Sequence, residues 1–592
     1  MLKTPERKSK RLAVSRSNDT AEQPSAPTRN SPSIAAYQTL LFGLTGSLLL
    51  WAAFPPLNLP WLAWLAPVPW LYLAQRPTLS GWRPYIVLWF CGTVHWLLML
   101  EGIRLAHPAL YAGWIALSAY LGVYLPIFIG LTRVAVHRFN ISVAAAAPLI
   151  WIGLELVRGH LITGFSMGLL AHTQAEFPYL IQISDLAGGY ALSALLMLVA
   201  ACLTQFVFNF LTSGLRALTS RIHWWPALIA TAALTPTLIY GHWRLNQAQP
   251  GHSGPTAKVA LIQGSLDTIF DITPDRIREI FDQYNRLTTE AVSNNQNLDL
   301  VVWPESMFAI AETVANEPIA PPAGSGLSTE EFARRLTAIQ TEFKTILADE
   351  AARVNANTSQ DAAGTNLLVG TTTFDYHADR TRVYNAALLA DKTGNVIGRY
   401  YKTHPVMFGE YIPFADWLPW LYKITPMSGG LSIGEGPKIF EVGNLKMSPS
   451  VCFESTIPHL IRSQLAQLSR EGTPADCLIN ITNDGWFWGT GILDLHLRCA
   501  IFRAVENRKP FLVVANTGIS TFADGNGVIR LRGPRREPEV LVAEVQSDGR
   551  LSPYLLVGDW PAWICALGCI GLAWVGLRGR WATQSETRQI LA

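Results

Sequence analysis

Eight stretches of this chain are apolar over nearly the length that crosses a bilayer: about 37–55, 60–75, 84–101, 110–132, 142–157, 187–210, 223–241 and 560–577. About 20 apolar residues in a helix match the hydrocarbon thickness, and a helix alone satisfies its own backbone polar groups in lipid. The pattern therefore predicts an α-helical transmembrane bundle of about eight helices, seven within 37–241 and a last over 559–578. The second and fifth runs are short, and a buried or re-entrant segment is the alternative for each.

Charge is distributed to match. Hydrophobic residues make up 49% of the 592 and charged residues only 15%. The charges are sparse from 37 to 241 and reach ordinary soluble density from 242 to 558, so a membrane part and a soluble part are joined in one chain. Residues 1–36 are rich in Ser, Pro, Lys, Arg and Asn, the composition of a disordered basic tail. The first apolar run begins only at Tyr37, so the reading is a retained anchor and not a cleaved secretory signal.

Cytoplasmic loops accumulate Lys and Arg. The tail carries Lys3, Arg7, Lys8, Lys10, Arg11, Arg16 and Arg29; alternate loops carry Arg76 and Arg83, Arg133 and Arg138, Arg216 and Arg221; the end adds Arg578, Arg580 and Arg588. The opposite loops show Arg104 and Arg158. Both termini, including a tail over 579–592, are expected in the cytoplasm, with the block 242–558 outside.

A net charge of +3 without a basic stripe interleaved with aromatics gives no reason to expect nucleic acid. The seven cysteines, at 91, 202, 452, 477, 499, 565 and 569, form no CxxC pair or zinc-spaced Cys/His cluster, so no metal or cofactor is expected. Three fall in the soluble block, an odd number, so at least one thiol there should be free. His95, His107, His160 and His172 are scattered and read as interfacial or packed.

The soluble block reads as alternating strands and helices. Lys258 to Gln263, Leu298 to Trp303, Leu367 to Phe374 and Leu478 to Thr482 are short β-branched apolar runs. Ser328 and Glu331 make a capping box ahead of Phe332, Leu336, Ile339, Phe343 and Ile346 at helical spacing. The stretches 318–326 and 355–364 read as loops.

Three segments share a form in which an extended run ends in a reactive residue: Leu300-Val301-Val302-Trp303-Pro304-Glu305, Val396 through Tyr401 to Lys402, and Ser448 through Val451 to Cys452. Ligands of open α/β folds collect at strand ends, so the three are candidates to converge. A thiol needs a base to become a nucleophile, and acyl transfer needs a fixed donor for its oxyanion. Glu305 suits the first task; Lys402 and backbone N–H groups after the nucleophile suit the second. Spacing alone does not raise them above their ordinary readings, a small buried Cys, a cap or surface acid and a solvated Lys.

The soluble block resembles the nitrilase, or carbon-nitrogen hydrolase, superfamily, and the chain from about 37 to 577 resembles the apolipoprotein N-acyltransferase family. The resemblance is carried by Trp303-Pro304-Glu305, by Tyr400-Tyr401-Lys402 leading into Phe408-Gly409-Glu410-Tyr411-Ile412-Pro413, and by Cys452-Phe453-Glu454. Asn483-Asp484-Gly485-Trp486-Phe487, Asn516-Thr517-Gly518, Glu155, Arg158, Thr163-Gly164-Phe165, Gln174, Pro178 and Gln182 extend it. It implies an αββα sandwich with Cys452 as nucleophile, Glu305 as proton acceptor and Lys402 as oxyanion stabiliser. Glu410 and Glu454 match two further site glutamates, with charge pairing to Lys402 as the alternative for both.

The implied reaction moves an acyl chain from a phospholipid donor to the N-terminal amine of a diacylated apolipoprotein through a Cys452 thioester, in a bacterial inner membrane with the catalytic block on the periplasmic face. A membrane-tethered amidase using the same triad on water, and a non-catalytic lipoprotein-binding scaffold, are the alternatives. Three positions depart from the family pattern. Phe453 stands where Tyr is usual, Leu495 where Gln often precedes His496, and Ser166-Met167 where an aromatic commonly follows Thr-Gly-Phe. At the end of the fifth apolar run, Glu155 and Arg158 have the spacing of an i, i+3 ion pair; an interfacial position is the alternative.

Overall fold

A computed structural model describes residues 36–590, apart from 78, 80, 214–223, 248–254, 269–272, 316–320, 322–325, 357–363, 378–379, 416, 419, 421 and 423–428. The basic tail up to residue 35, Arg216 and Arg221, and most of the loops 318–326 and 355–364 lie outside the described residues.

Each apolar run folds as helix. Before the soluble block stand α1 (Ala36–Ala52), α2 (Pro67–Gln75), α3 (Arg83–Met99), α4 (Leu110–Gly122), α5 (Tyr124–Phe139), α6 (Val143–His160), α7 (Gly189–Ser213) and α8 (Trp225–Asn246). Among the described residues four helices are long and apolar enough to cross a membrane: Leu110–Phe139, Val143–Thr163, Gly189–Leu211 and Trp560–Arg578. The shorter α1 is apolar over 17 residues. The chain is thus a membrane protein by its helices, and four of the eight expected spans reach full length among the described residues.

Local chemistry sets the helix ends. Pro126 lacks an N–H and sits in the first turn of α5, where no intrahelical bond is needed, so α4 and α5 meet at a break beside Val123. Ser142 caps α6 by accepting from the Ala145 N–H. Small residues bring helices close. A Cβ on Gly153 of α6 would lie 2.8 Å from the Cys565 carbonyl oxygen in the last helix.

The two ends of the bundle differ. At one, Arg133 donates to the Pro77 carbonyl and Arg138 to that of Val575 in the last helix. At the other, Gly102 lies against Thr490 of the soluble block.

The expected Glu155–Arg158 ion pair does not form. Both are buried, and they turn to different partners. Glu155 accepts from the Trp151 indole at 2.9 Å and the Leu170 N–H at 2.8 Å. Arg158 donates to the Gly168 carbonyl and lies over the Trp96 ring. The 161–174 segment folds back over this helix end and supplies those backbone partners.

The soluble block has β1 (Thr256–Gln263), β2 (Leu300–Val302), β3 (Glu312–Ala315), β4 (Asn366–Tyr376), β5 (Thr381–Ala390), β6 (Val396–Tyr401), β7 (Phe440–Val442), β8 (Leu445–Val451), β9 (Cys477–Thr482), β10 (Phe511–Ala515), β11 (Thr521–Ala523), β12 (Ile529–Arg532) and β13 (Glu539–Gln546). One sheet runs β13-β1-β2-β4-β5-β6, with β3 also on β4; the other runs β12-β11-β10-β9-β8-β7.

Period-two alternation builds the layers. Val259 and Leu261 face the second sheet with Met447, Val451 and Ile479, whereas Ala260 and Ile262 face the helices. Outside the first sheet lie α9 (Pro274–Asn294) and α10 (Thr329–Val354), through Tyr284, Leu287, Phe343 and Leu347. Ser328 caps α10 as expected. Outside the second lie α11 (Pro458–Arg470) and α12 (Ile492–Asn507), through Ile461, Leu465 and Ala500. The result is the αββα sandwich.

A helix buried on every side must sit between two cores. All of α12 but Asp494 is buried, since its other face joins the membrane helices through Leu495, Leu497 and Phe502. Ion pairs fasten this joint. Asp185, buried after the fifth run, takes Arg244 and Arg508 at 2.6 Å each. Glu506 of α12 accepts from the Gly189 N–H at the start of α7. The last helix, α13 (Trp560–Ile590), then returns beside α5 and α6 and runs on past residue 578.

Candidate active site

The three reactive residues lie at strand ends, as the sequence pattern predicts. Lys402 directly follows β6 and Cys452 directly follows β8; Glu305 lies three residues beyond β2. Gly370 of β4 lets the Glu305 backbone approach, since a Cβ there would lie 2.6 Å from the Glu305 Cα. The structure brings the three together.

Glu305 is held in one orientation. Its Oε1 accepts from Asn385 Nδ2 at 2.7 Å and its Oε2 from the Asn483 N–H at 2.8 Å. Lys402 Nζ stands 3.6 Å from Glu305 Oε1 and donates to Glu410 Oε1 at 2.8 Å. Lys402 is 1% exposed. Burial works to lower its pKa, but Glu410 and Glu305 outweigh it and raise the pKa, so the ammonium stays charged.

Cys452 is half-buried with φ of 52°, a left-handed conformation costly for a residue with a side chain. It opens a tight 3-10 turn, Cys452–Thr456. Such an elbow lifts the thiol off the strand. Burial raises the thiol pKa well above its ordinary value; Glu305 adds to this, and Lys402 opposes it. The thiol therefore rests protonated and needs a base when it reacts.

Glu410 and Glu454 take different parts. Pairing with Lys402 holds for Glu410, which also accepts from the Val406 N–H and shares Asn385 with Glu305. It does not hold for Glu454. That carboxylate is fully buried and accepts from Tyr400 Oη, Thr403 N and Oγ1, the His404 N–H and the Val451 N–H. It ties the end of β6 to the end of β8, and so fixes Lys402 relative to Cys452. Burial raises its pKa against these hydrogen bonds. Phe453, which has no hydroxyl to donate, packs on the membrane-helix core and stacks with His404.

Sequence reading missed Asn385, Tyr400, Thr403 and Gln464, whose side chains complete these shells. Of these, Tyr400 alone lies in one of the motifs that carry the family resemblance. Asn385 lies mid-strand on β5, where nothing local marks it. Gln174 and Gln182 serve joints away from the thiol, donating to the carbonyls of Pro60 and Asn526. Asn516 ties Asn483 to Leu266. Cys477 and Cys499 are buried and free, with thiol pKa values pushed up by burial, to about 12 for Cys499. His160 packs, stacked on His459 at 4.0 Å.

Two family models match: the apolipoprotein N-acyltransferase N-terminal domain over residues 46–202 and carbon-nitrogen hydrolase over 258–553. An apolipoprotein N-acyltransferase of Rhodopirellula baltica is 31% identical over 573 residues, covering 92% of this chain and 98% of its own. One of Geobacter metallireducens is 30% identical over 544 residues, covering 91% and 95%. Among solved structures, an amidase from Nesterenkonia sp. aligns at 17% identity with a TM-score of 0.33, covering 51% of this chain and 95% of that one. Over nearly its whole length, then, this chain belongs to the apolipoprotein N-acyltransferase family.

Proposed function

We propose that the chain moves a fatty acyl group from a membrane phospholipid to the N-terminal amine of a diacylglyceryl-cysteine on an apolipoprotein, through a thioester on Cys452. The observation that carries the residue roles is the convergence of Glu305, Lys402 and a left-handed Cys452 at three strand ends. As the Cys452 sulfur attacks the donor ester carbonyl, its proton passes to Glu305. Lys402 and backbone N–H groups face the oxyanion. The ester C–O bond then breaks, and the lysophospholipid oxygen leaves with that proton. In the second half the acceptor amine attacks the thioester, gives a proton to Glu305 and releases the sulfur, which takes the proton back.

Placement of the site suits two lipid substrates. The turn that carries Cys452 packs its Phe453 on the membrane-helix core. Exposing a lipid chain to water costs about 0.8 kcal/mol per methylene, so chemistry at the bilayer avoids a large penalty. We place the protein in the bacterial inner membrane as about eight helices, with the catalytic block on the periplasmic face. Arg133 and Arg138 gather at the bundle end away from Thr490, which supports this orientation.

The test is direct. Purified protein in a bilayer, given labelled phospholipid and a diacylated lipopeptide, should yield a triacylated product. Release of free fatty acid without that product would replace transfer by hydrolysis, and no turnover of either kind would remove the enzymatic reading.

A further inference from the structure

Behind the nucleophile lies a buried polar chain that the acyl-transfer steps above do not use. His496 of α12 is 5% exposed. Its Nδ1 is 3.0 Å from Asp484 Oδ1, and its Nε2 is 2.7 Å from Ser455 Oγ and 3.2 Å from the Cys452 carbonyl oxygen. That same carbonyl accepts from Ser455 Oγ at 3.1 Å and from Asn480 Nδ2 at 3.2 Å. Three side chains from three elements thus converge on the carbonyl of the reactive residue.

A trans peptide points its C=O and its N–H in opposite directions. Holding the Cys452 carbonyl therefore also holds the Phe453 N–H, the first backbone donor after the nucleophile. We propose that His496, oriented by Asp484, is a positioning residue for acyl transfer: with Ser455 and Asn480 it locks the Cys452–Phe453 peptide so that the Phe453 N–H is aimed before the oxyanion forms. The inference rests on the acyl-transfer reading and extends it to residues that do not touch the substrate.

The proton on His496 decides how the chain is wired. With both ring nitrogens protonated, Nδ1 donates to Asp484, Nε2 donates toward the Cys452 carbonyl, and the Ser455 hydroxyl is free to donate there too. With Nε2 bare, that nitrogen must accept, and Ser455 turns its hydrogen to the ring and away from the carbonyl. The charged groups acting on the ring are Asp484 from the turn after β9 and Glu305 from the end of β2; Cys452 meets it through its backbone carbonyl. Burial opposes the charged ring, but Asp484, then the hydrogen bond to the Cys452 carbonyl, then Glu305 outweigh it and raise its pKa. Locking is present in the protonated form and is lost as pH rises through that raised value. Pinning a donor in advance removes reorganisation from the reaction step.

Three variants in full-length protein in a bilayer test this: His496→Gln, Asp484→Asn and Ser455→Ala. Thioester formation from radiolabelled phospholipid is read as a hydroxylamine-sensitive band. Alkylation of Cys452 by iodoacetamide, which builds no oxyanion, is read in parallel. Thioester formation should fall about 10- to 100-fold in Asp484→Asn and Ser455→Ala, short of the roughly 100- to 1,000-fold cost of deleting an oxyanion donor because the donor is misaimed and not removed, with alkylation within twofold of wild type. His496→Gln keeps an uncharged donor, so it should retain part of the rate and lose the alkaline fall that wild type shows; Asp484→Asn should move that fall to lower pH. Thioester rates within twofold of wild type in all three variants, or alkylation falling in step with acylation, would overturn the proposal. Wild type failing to form the thioester would instead overturn the acyl-transfer reading beneath it.

Discussion

Lys402 donates to Glu410 at 2.8 Å, and this bond is shorter than its 3.6 Å approach to Glu305. The ammonium is thus anchored by a carboxylate outside the proposed triad, which leaves the Glu305 oxygens to Asn385, Asn483 and the proton of the thiol. Charge balance gives the division of labour: one cation, one carboxylate to hold it and a second to work.

Replacing Cys452 with Ala should abolish transfer while leaving expression and membrane insertion intact, because only the sulfur is lost. Cys477→Ala and Cys499→Ala should keep activity, since both thiols are buried packing groups. Each should cost about 1 kcal/mol of stability through the small void left behind. Triacylated product measured by mass spectrometry decides the first point, and thermal unfolding in detergent the second.

Glu305→Gln should block the Cys452 thioester, since an amide cannot accept the thiol proton and burial keeps that thiol protonated at rest. Lys402→Met should fail differently. It removes the charge facing the oxyanion, a loss on the order of 3 kcal/mol or about a hundredfold. The radiolabelled band should accumulate in wild type without acceptor and disappear when the amine is added. A wild-type band in Glu305→Gln would pass the base role to Glu410.

Reporter fusions read the proposed orientation. One placed after residue 250 should be active only outside the cytoplasm, and one after residue 585 only inside. The reverse pattern would turn the bundle over and separate the site from exported lipoproteins.

Asp185→Asn should loosen the joint between the two parts of the chain. Arg244 and Arg508, both buried, would lose their shared carboxylate, and unpairing buried charges costs about 3–5 kcal/mol. The expected readout is a lower unfolding midpoint in detergent. An unchanged midpoint would mean that these charges are hydrated in solution.

Periodicity and local chemistry determined much of this protein without tertiary information. Runs of about 20 apolar residues specify membrane helices because lipid offers no partner for open backbone. Ser328 announces the start of α10 because an N-cap is a local hydrogen bond. The reactive residues were legible as candidates because each follows an apolar run, as Cys452 follows Val451, and their roles only through the family resemblance of the motifs around them. Tertiary structure decided what depends on distant partners. Whether Glu155 pairs with Arg158 was settled by the 161–174 segment, which offers each a backbone group. Glu410 and Glu454 look alike in sequence, yet one meets Lys402 and the other the ends of two strands. Asn385, 80 residues from Glu305, becomes its partner only when β5 is laid beside β4. A hydrogen bond across such a separation leaves no local mark on composition or spacing, because its geometry is made by the packing of sheets and not by the neighbours of either residue.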